Sequence, residues 1–106
     1  MKQWEVWTWK FPHGEHPAVI LTPDAWLHLP EVNVLACASQ QTRRPADLHE
    51  VLLDQADGLD WPTLCRCHRI WTAAQDELKQ RRGAVTPERR RTIGQKLIRV
   101  FGLWLA

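Results

Sequence analysis

Two side chains of complementary chemistry stand two residues apart in the second half of the chain. Arg66 and His68 belong to segment 63–71, which contains no glycine and little helical periodicity and is therefore predicted to be a β-strand. Side chains alternate along a strand, so we expect both on one face, roughly 6.6 Å apart. That is about the span of one phosphodiester. A fixed cation beside a group that exchanges protons near neutral pH could cleave RNA.

The alternative for this pair is an exposed strand whose polar face is only solvated. The neighbouring cysteines do not suggest a metal instead. Cys37, Cys65 and Cys67 are an odd number, which argues against a disulfide framework, and no second Cys/His pair follows at ligand spacing. We expect buried, reduced thiols, with no metal and no cofactor.

Length and composition are those of a small globular protein. The 106 residues predict one domain spanning 1–106. A content of 44% hydrophobic and 25% charged residues is typical of an ordinary soluble globular protein. No apolar run has membrane-spanning length, and the N-terminus lacks the apolar region of a signal peptide. These features predict a cytoplasmic protein without a membrane partner.

The net charge of +2 is unevenly distributed. Residues 1–60 contain four Lys/Arg against nine Asp/Glu, whereas residues 61–106 contain ten against three. A basic half of this kind suits a polyanion or an acidic protein partner. For the arginines and the lysine near the C-terminus, a solvated helix face is the alternative.

Hydrophobic patterns predict strands first and a helix last. Segments 4–9, 17–22, 32–39, 50–53 and 63–71 are apolar or alternating and are separated by short turn signals, which favours a small barrel of five or six strands. Thr86 followed by Pro87 is a helix start, so we expect a helix over Pro87–Phe101. Its apolar stripe comprises Ile93, Leu97, Val100, Phe101 and Trp104. Seven tryptophans predict a Trp-rich core.

Four segments in this order resemble the MazF/PemK (Kid) family of bacterial toxin endoribonucleases. Segment 16–23 is similar to the family's Arg-Pro-x-(apolar)3-Thr/Ser, and segment 34–39 to the strand that ends in its Thr-Ser pair. Segment 66–72 resembles Arg-Cys-Asp-Gln-x-Arg-Thr, and Leu78 with segment 82–86 resembles the lead into its last helix. The resemblance extends from Trp4 to Leu103, and the order and spacing of the segments carry it.

The resemblance implies a mainly β, α+β fold: an SH3-like small β-barrel of the CcdB/MazF type with a C-terminal α-helix. It implies a homodimer that binds single-stranded RNA along the dimer groove and cleaves it without metal, by attack of the 2′-OH. It also implies a cognate antitoxin protein whose acidic tail occupies the groove.

Carried over residue by residue, the resemblance assigns four catalytic positions. Arg66 falls on the family's catalytic Arg, and His68 on an Asp that acts as base in part of the family. Ser39 falls on the second residue of the Thr-Ser pair, where Ala38 replaces the Thr. His16 replaces the Arg before Pro and could supply the acid. In this chemistry Arg66 stabilises the phosphorane-like transition state, and Ser39 hydrogen-bonds a phosphate oxygen.

Departures from the family pattern leave two interpretations open. Trp71 replaces a further frequent Arg, so the site is either rebuilt around histidines or has lost catalysis and only binds RNA or a protein partner. Alternation places Arg69 on the face opposite Arg66, and Trp26 is expected in the core rather than stacked on a base. The candidate RNA-binding residues are Arg43, Arg44, Arg69, His13 and Gln40.

Overall fold

Six antiparallel strands form one curled sheet in the computed structural model, which describes residues 1–39 and 44–103. The strand order is β4-β5-β3-β2-β1-β6. This confirms the mainly β fold with a C-terminal helix. The sixth strand is one that the sequence patterns did not locate. The elements are β1 (Glu5–Phe11), β2 (Gly14–Ile20), β3 (Glu31–Ser39), β4 (Glu50–Leu53), β5 (Thr63–Ala74), β6 (Lys79–Ala84) and α1 (Pro87–Phe101).

Both faces of the sheet carry an apolar cluster, because successive residues of the central strand β3 point to opposite sides. Leu35 belongs to the cluster that also contains Ile93 of α1, so the helix covers that face. Val34 belongs to the second cluster, with Trp9 and Phe11 of β1. Burial on both sides explains why β3 is a nearly continuous apolar run.

Helix α1 begins and ends as its sequence predicts. The Thr86 side chain accepts a hydrogen bond from the Arg89 backbone N–H, Pro87 occupies the first turn, and Gly102 ends the helix with φ 61°. A positive φ is one that glycine adopts without steric strain. The predicted span Pro87–Phe101 is therefore confirmed.

The apolar stripe of α1 is buried only in its first half. Ile93 is fully buried and Leu97 packs against the same cluster, but Val100 and Phe101 are exposed. Trp104 lies outside the described residues. The helix therefore leaves apolar side chains in contact with solvent near its C-terminal end.

A buried carboxylate fixes the N-terminus of α1 to the sheet. Asp57, 1% exposed, accepts hydrogen bonds from the Thr86 N–H at 2.9 Å and from the Arg89 guanidinium. The turn that contains Asp57 packs directly on Gly83 of β6, where a Cβ would lie 2.0 Å from the Asp57 carbonyl oxygen. Only glycine fits at position 83.

Halfway along strand β5, the alternation of side chains between the two faces of the sheet is reversed. Leu35 of β3 lies opposite Ile70, but Cys37 lies opposite Cys65, so β5 advances five residues while β3 advances two. The extra residues form a bulge, which bends a strand and re-aims its side chains. An insertion of three reverses the alternation, and accordingly Cys65 lies in the cluster under α1 whereas Trp71 packs on the opposite cluster.

The expected Trp-rich core is confirmed for four of the six tryptophans within the described ranges and wrong for two. Trp9 is buried, and Trp4, Trp7 and Trp71 are partly buried and pack against the two apolar clusters. Trp26 and Trp61 are 58% and 53% exposed, so Trp26 is not in the core as expected. The three cysteines are buried and unpaired, as predicted. In the described part of the chain, no helix is long and apolar enough to cross a membrane.

Candidate active site

A cavity of about 220 Å³ opens on the face of the sheet opposite α1. Arg66 and Arg69 contribute two positive charges to it, and His13, on the turn between β1 and β2, contributes an imidazole. The remaining lining residues are Ala36, Cys37, Ala38 and Trp71. A concave surface with two guanidinium groups suits an anionic ligand such as a phosphodiester.

Arg69 shares this cavity with Arg66, so its predicted position on the opposite face is wrong. The physical reason is the bulge in β5, which lies between Cys65 and Ile70 and moves Arg69 to the face of Arg66. On the Arg66 side of the bulge, simple alternation holds over segment 65–68, where the cysteines are buried while Arg66 and His68 are partly exposed.

Arg66 is oriented by a buried carboxylate on the neighbouring strand. Glu50, only 2% exposed, lies opposite Arg66 in the β4–β5 register, and its Oε2 is 3.7 Å from Arg66 Nε. Arg44 binds the same carboxylate through two hydrogen bonds of 2.7 and 2.9 Å, and the Asp47 N–H donates a third at 2.9 Å. The Arg44 hydrogen bonds are the largest cause that lowers the pKa of Glu50 to about 2. Glu50 is therefore ionised at every physiological pH.

The imidazole of His68 packs against that of His49. The two ring centroids are 4.0 Å apart at an interplanar angle of 80°, an edge-to-face contact. His68 Nδ1 is buried and is one of the two buried side-chain polar atoms without a hydrogen-bond partner among the described residues. Burial lowers the pKa of His68, and the charges of His49, Arg69 and Arg66 lower it further, against an opposing effect of Glu50. A neutral imidazole, the form that accepts a proton, is favoured.

His16 belongs to a second histidine pair, on the side of the cavity formed by β1 and β2. Its ring centroid lies 4.9 Å from that of His13, which stacks on Phe11 at 5.4 Å. Burial lowers the pKa of His16, as do the charges of His13 and Arg66. Arg66 therefore acts electrostatically on both predicted proton-transfer residues, His16 and His68, which belong to separate pairs.

Ser39 lies at the end of β3, next to Ala38 of the cavity wall. Its Oγ accepts a hydrogen bond of 3.0 Å from Nε1 of Trp61, whose side chain is 53% exposed. Among the described residues no acceptor takes the hydroxyl hydrogen of Ser39, which can donate to a ligand. Its predicted role as a phosphate donor stays a prediction.

Of the three other predicted RNA-binding residues, Arg44 is the one within the described residues. Arg44 is engaged with Glu50 and with Asp47 at 3.6 Å, rather than lining the cavity. Gln40 and Arg43 lie outside the described residues.

Sequence reasoning missed His49 and Glu50, which contact His68 and Arg66. The only signal was their adjacency at the start of a short predicted strand. Carboxylate oxygens of Asp47 and Glu50 and an imidazole nitrogen of His49, all atoms that can bind a metal ion, lie within 4.8 Å of one another. Both oxygens of Glu50 already bind the Arg44 guanidinium, and Arg66 adds a further positive charge, so we assign no metal to this group.

Comparison with known proteins finds relatives in fold. A family model described as PemK-like, MazF-like toxin of type II toxin-antitoxin system matches residues 2–101. No curated protein matches the sequence. Three similar solved structures are a mycobacterial endoribonuclease in complex with its cognate antitoxin, Mycobacterium tuberculosis toxin MazF-mt6, and a MazE-MazF complex from Deinococcus radiodurans.

Each of the three structures is similar to this chain over nearly the full length of both proteins. The mycobacterial endoribonuclease has a TM-score of 0.83 at 24% identity, covering 100% of this chain and 99% of that one. MazF-mt6 has 0.81 at 20%, covering 95% and 99%. The Deinococcus structure has 0.76 at 15%, covering 98% and 97%.

Proposed function

We propose that this chain, which belongs to the PemK-like, MazF-like toxin family of type II toxin-antitoxin systems, is an endoribonuclease that cleaves single-stranded RNA without a metal ion. The observation that carries the proposal is the cavity in which Arg66 and Arg69 converge, with a histidine pair on either side of Arg66. The fold likeness to a mycobacterial endoribonuclease supports it.

Cleavage of RNA through its 2′-OH needs a base, an acid and positive charge on the phosphate. His68 takes the proton of the 2′-OH, because its environment favours the neutral imidazole. Arg66 stays protonated and stabilises the charge of the pentacoordinate phosphorus. His16 donates a proton to the departing 5′-oxygen when it is protonated, which its lowered pKa restricts to more acidic pH. Ser39 donates a hydrogen bond to a phosphate oxygen. The products are a cyclic or 3′-phosphate and a 5′-hydroxyl.

The test is cleavage of a single-stranded RNA by the full chain in excess EDTA. Arg66→Ala should reduce the rate by about 10²–10³-fold, as for a lost oxyanion donor, and His68→Ala by about 10²–10⁴-fold. Arg91→Ala removes an equal charge from an exposed position of α1 and should leave the rate unchanged. A substrate with 2′-deoxyribose throughout should remain intact.

Several outcomes would contradict the proposal. Loss of wild-type activity in EDTA would show that a metal takes part. Wild-type rates in both Arg66→Ala and His68→Ala would remove the assigned residues from the chemistry. Binding of RNA without any cleavage would favour the binding-only alternative, in which the substituted site is no longer catalytic.

We propose two protein partners, a cognate antitoxin and a second copy of this chain, and action on transcripts in the cytoplasm. Solved structures of toxin–antitoxin complexes with a similar fold support the first. Exposed apolar side chains at the end of α1 support the second, and they are Ile98, Val100, Phe101 and Leu103. Light scattering at micromolar concentration should give about twice the chain mass of 12.4 kDa. A monomer mass would contradict the homodimer.

A further inference from the structure

The dipeptide His49-Glu50 contacts two of the four residues that we assign to the phosphodiester chemistry, Arg66 and His68. Glu50 opens β4 and lies directly opposite Arg66. One residue earlier, the His49 carbonyl accepts a 2.9 Å hydrogen bond from the N–H of Cys67, the residue between Arg66 and His68. The backbone pairing therefore fixes these two residues against segment 66–68 before any side chain is considered.

Glu50 restricts the side chain of Arg66. The carboxylate is 2% exposed, whereas the Arg66 side chain is 38% exposed. Arg44 and the Asp47 N–H already hold the carboxylate in place, so it is a fixed negative charge 3.7 Å from Arg66 Nε. A guanidinium tethered at Nε still has its two terminal nitrogens to bind phosphate oxygens.

His49 restricts the ring of His68. An edge-to-face contact at a centroid distance of 4.0 Å fixes the plane of the imidazole. It also leaves no space for a phosphate between the rings, so His49 is not the acid that completes a pair with His68. Nδ1 of His68 is buried, which leaves Nε2 as its nitrogen for the substrate.

We propose that His49 and Glu50 are a positioning pair, in which His49 fixes the imidazole of His68 and Glu50 fixes the guanidinium of Arg66. The inference rests on the proposed function, since it assigns positioning to residues whose catalytic roles are themselves proposed. Neither His49 nor Glu50 is among the described residues that line the cavity.

The two positioning residues act on His68 with opposite electrostatic sign. The groups that face His68 are His49 and Glu50 beside it, and Arg66 and Arg69 on its own strand. The charge of His49 lowers the pKa of His68, while that of Glu50 raises it. His49→Gln should therefore raise the pKa of His68, and Glu50→Gln should lower it.

The experiment measures the ring titration of His68 by NMR in the full-length wild type, H49Q and E50Q. His28→Gln and Glu88→Gln are matched controls, because both residues are exposed and lie outside the site. The NMR signal of Arg66 Nε–H is followed in the same samples. Circular dichroism establishes that each variant is folded, and kcat and KM are measured for single-stranded RNA.

If His49 and Glu50 are positioning residues, the pKa of His68 should rise in H49Q and fall in E50Q, and it should not change in the controls. Positioning also predicts a change in the chemical shift of the Arg66 Nε–H signal in E50Q alone. In both variants kcat should fall by up to about 10²-fold, the effect of a misplaced catalytic group, with KM little changed.

A His68 titration that is identical in all five proteins, or that moves the same way in H49Q and E50Q, would overturn the inference. So would wild-type kcat in both variants. The NMR measurement does not require RNA cleavage, so it distinguishes failure of this inference from failure of the proposed function. A wild-type chain that cleaves no RNA but shows the opposite displacements would keep the arrangement and refute the ribonuclease.

Discussion

Glu50 should make the stability of the fold depend on pH in a way that Glu50→Gln abolishes. The carboxyl has an ordinary pKa of 4.5 and a folded-state pKa of about 2, mainly because Arg44 hydrogen-bonds it. A depressed folded-state pKa stabilises the native protein above the unfolded value, and the stabilisation is lost as pH falls. The loss should therefore occur between about pH 5 and about pH 2.

The magnitude follows from the size of the pKa change. A change from 4.5 to about 2 corresponds to about 3 kcal/mol of unfolding free energy at pH 7, at ~1.4 kcal/mol per unit. Arg44 exposes 42% of its side chain, so solvent screens part of the pairing, and we expect between about 1 and 3 kcal/mol. Near pH 3 only about two fifths of this should remain, and near pH 2 about a tenth.

Urea unfolding followed by tryptophan fluorescence at pH 7, 5, 4 and 3 provides the measurement. The quantity of interest is the unfolding free energy of wild type minus that of E50Q at each pH, because ionisable groups common to both proteins cancel. Glu31→Gln is the control, since Glu31 is exposed at the start of β3 and its substitution should change stability little at any pH.

A wild-type-minus-E50Q difference that is the same at pH 7 and pH 3 would refute the reasoning. It would mean that Glu50 is not ionised in the native state, or that its pairing with Arg44 and Arg66 contributes no stability. A difference that grows as pH falls would have the wrong sign, and would indicate a carboxyl that is more easily protonated in the folded chain.

Two further outcomes follow from the fold and the site. Gly83→Ala should destabilise the folded protein by several kcal/mol, because the new Cβ would lie 2.0 Å from the Asp57 carbonyl oxygen. Gly94→Ala has open space around the new Cβ and should stabilise α1 by up to about 1 kcal/mol. Equal urea midpoints for the two variants would contradict this. The pH–rate profile of RNA cleavage should be bell-shaped with its maximum below pH 6.5, because the pKa values of both His68 and His16 lie below that ordinary value. A rate that climbs steadily from about pH 5 to about pH 9 would exclude the two-histidine mechanism.

Local sequence determined those features that depend on neighbouring residues alone. Thr86 and Pro87 define the start of α1 because a side-chain oxygen satisfies a free N–H and proline lacks one, so the helix Pro87–Phe101 could be predicted residue by residue. Arg66 and His68 project away from the buried cysteines because alternation is a property of any extended backbone. The resemblance of short segments in the right order was sufficient to predict the family.

Only the tertiary structure decided what surrounds those two side chains. The bulge that brings Arg69 to the face of Arg66 depends on how β5 pairs with β3, and a strand segment carries no local signal for its register. Trp26 is exposed because it lies in a short 3-10 turn, Asp24–Trp26, in which no residue is buried, although its residue type predicts burial. His49 and Glu50 lie 19 and 16 positions before the residues they contact. Their roles arise from cross-strand pairing, in which the free energy of packing and ion pairing, rather than local sequence, selects the neighbours.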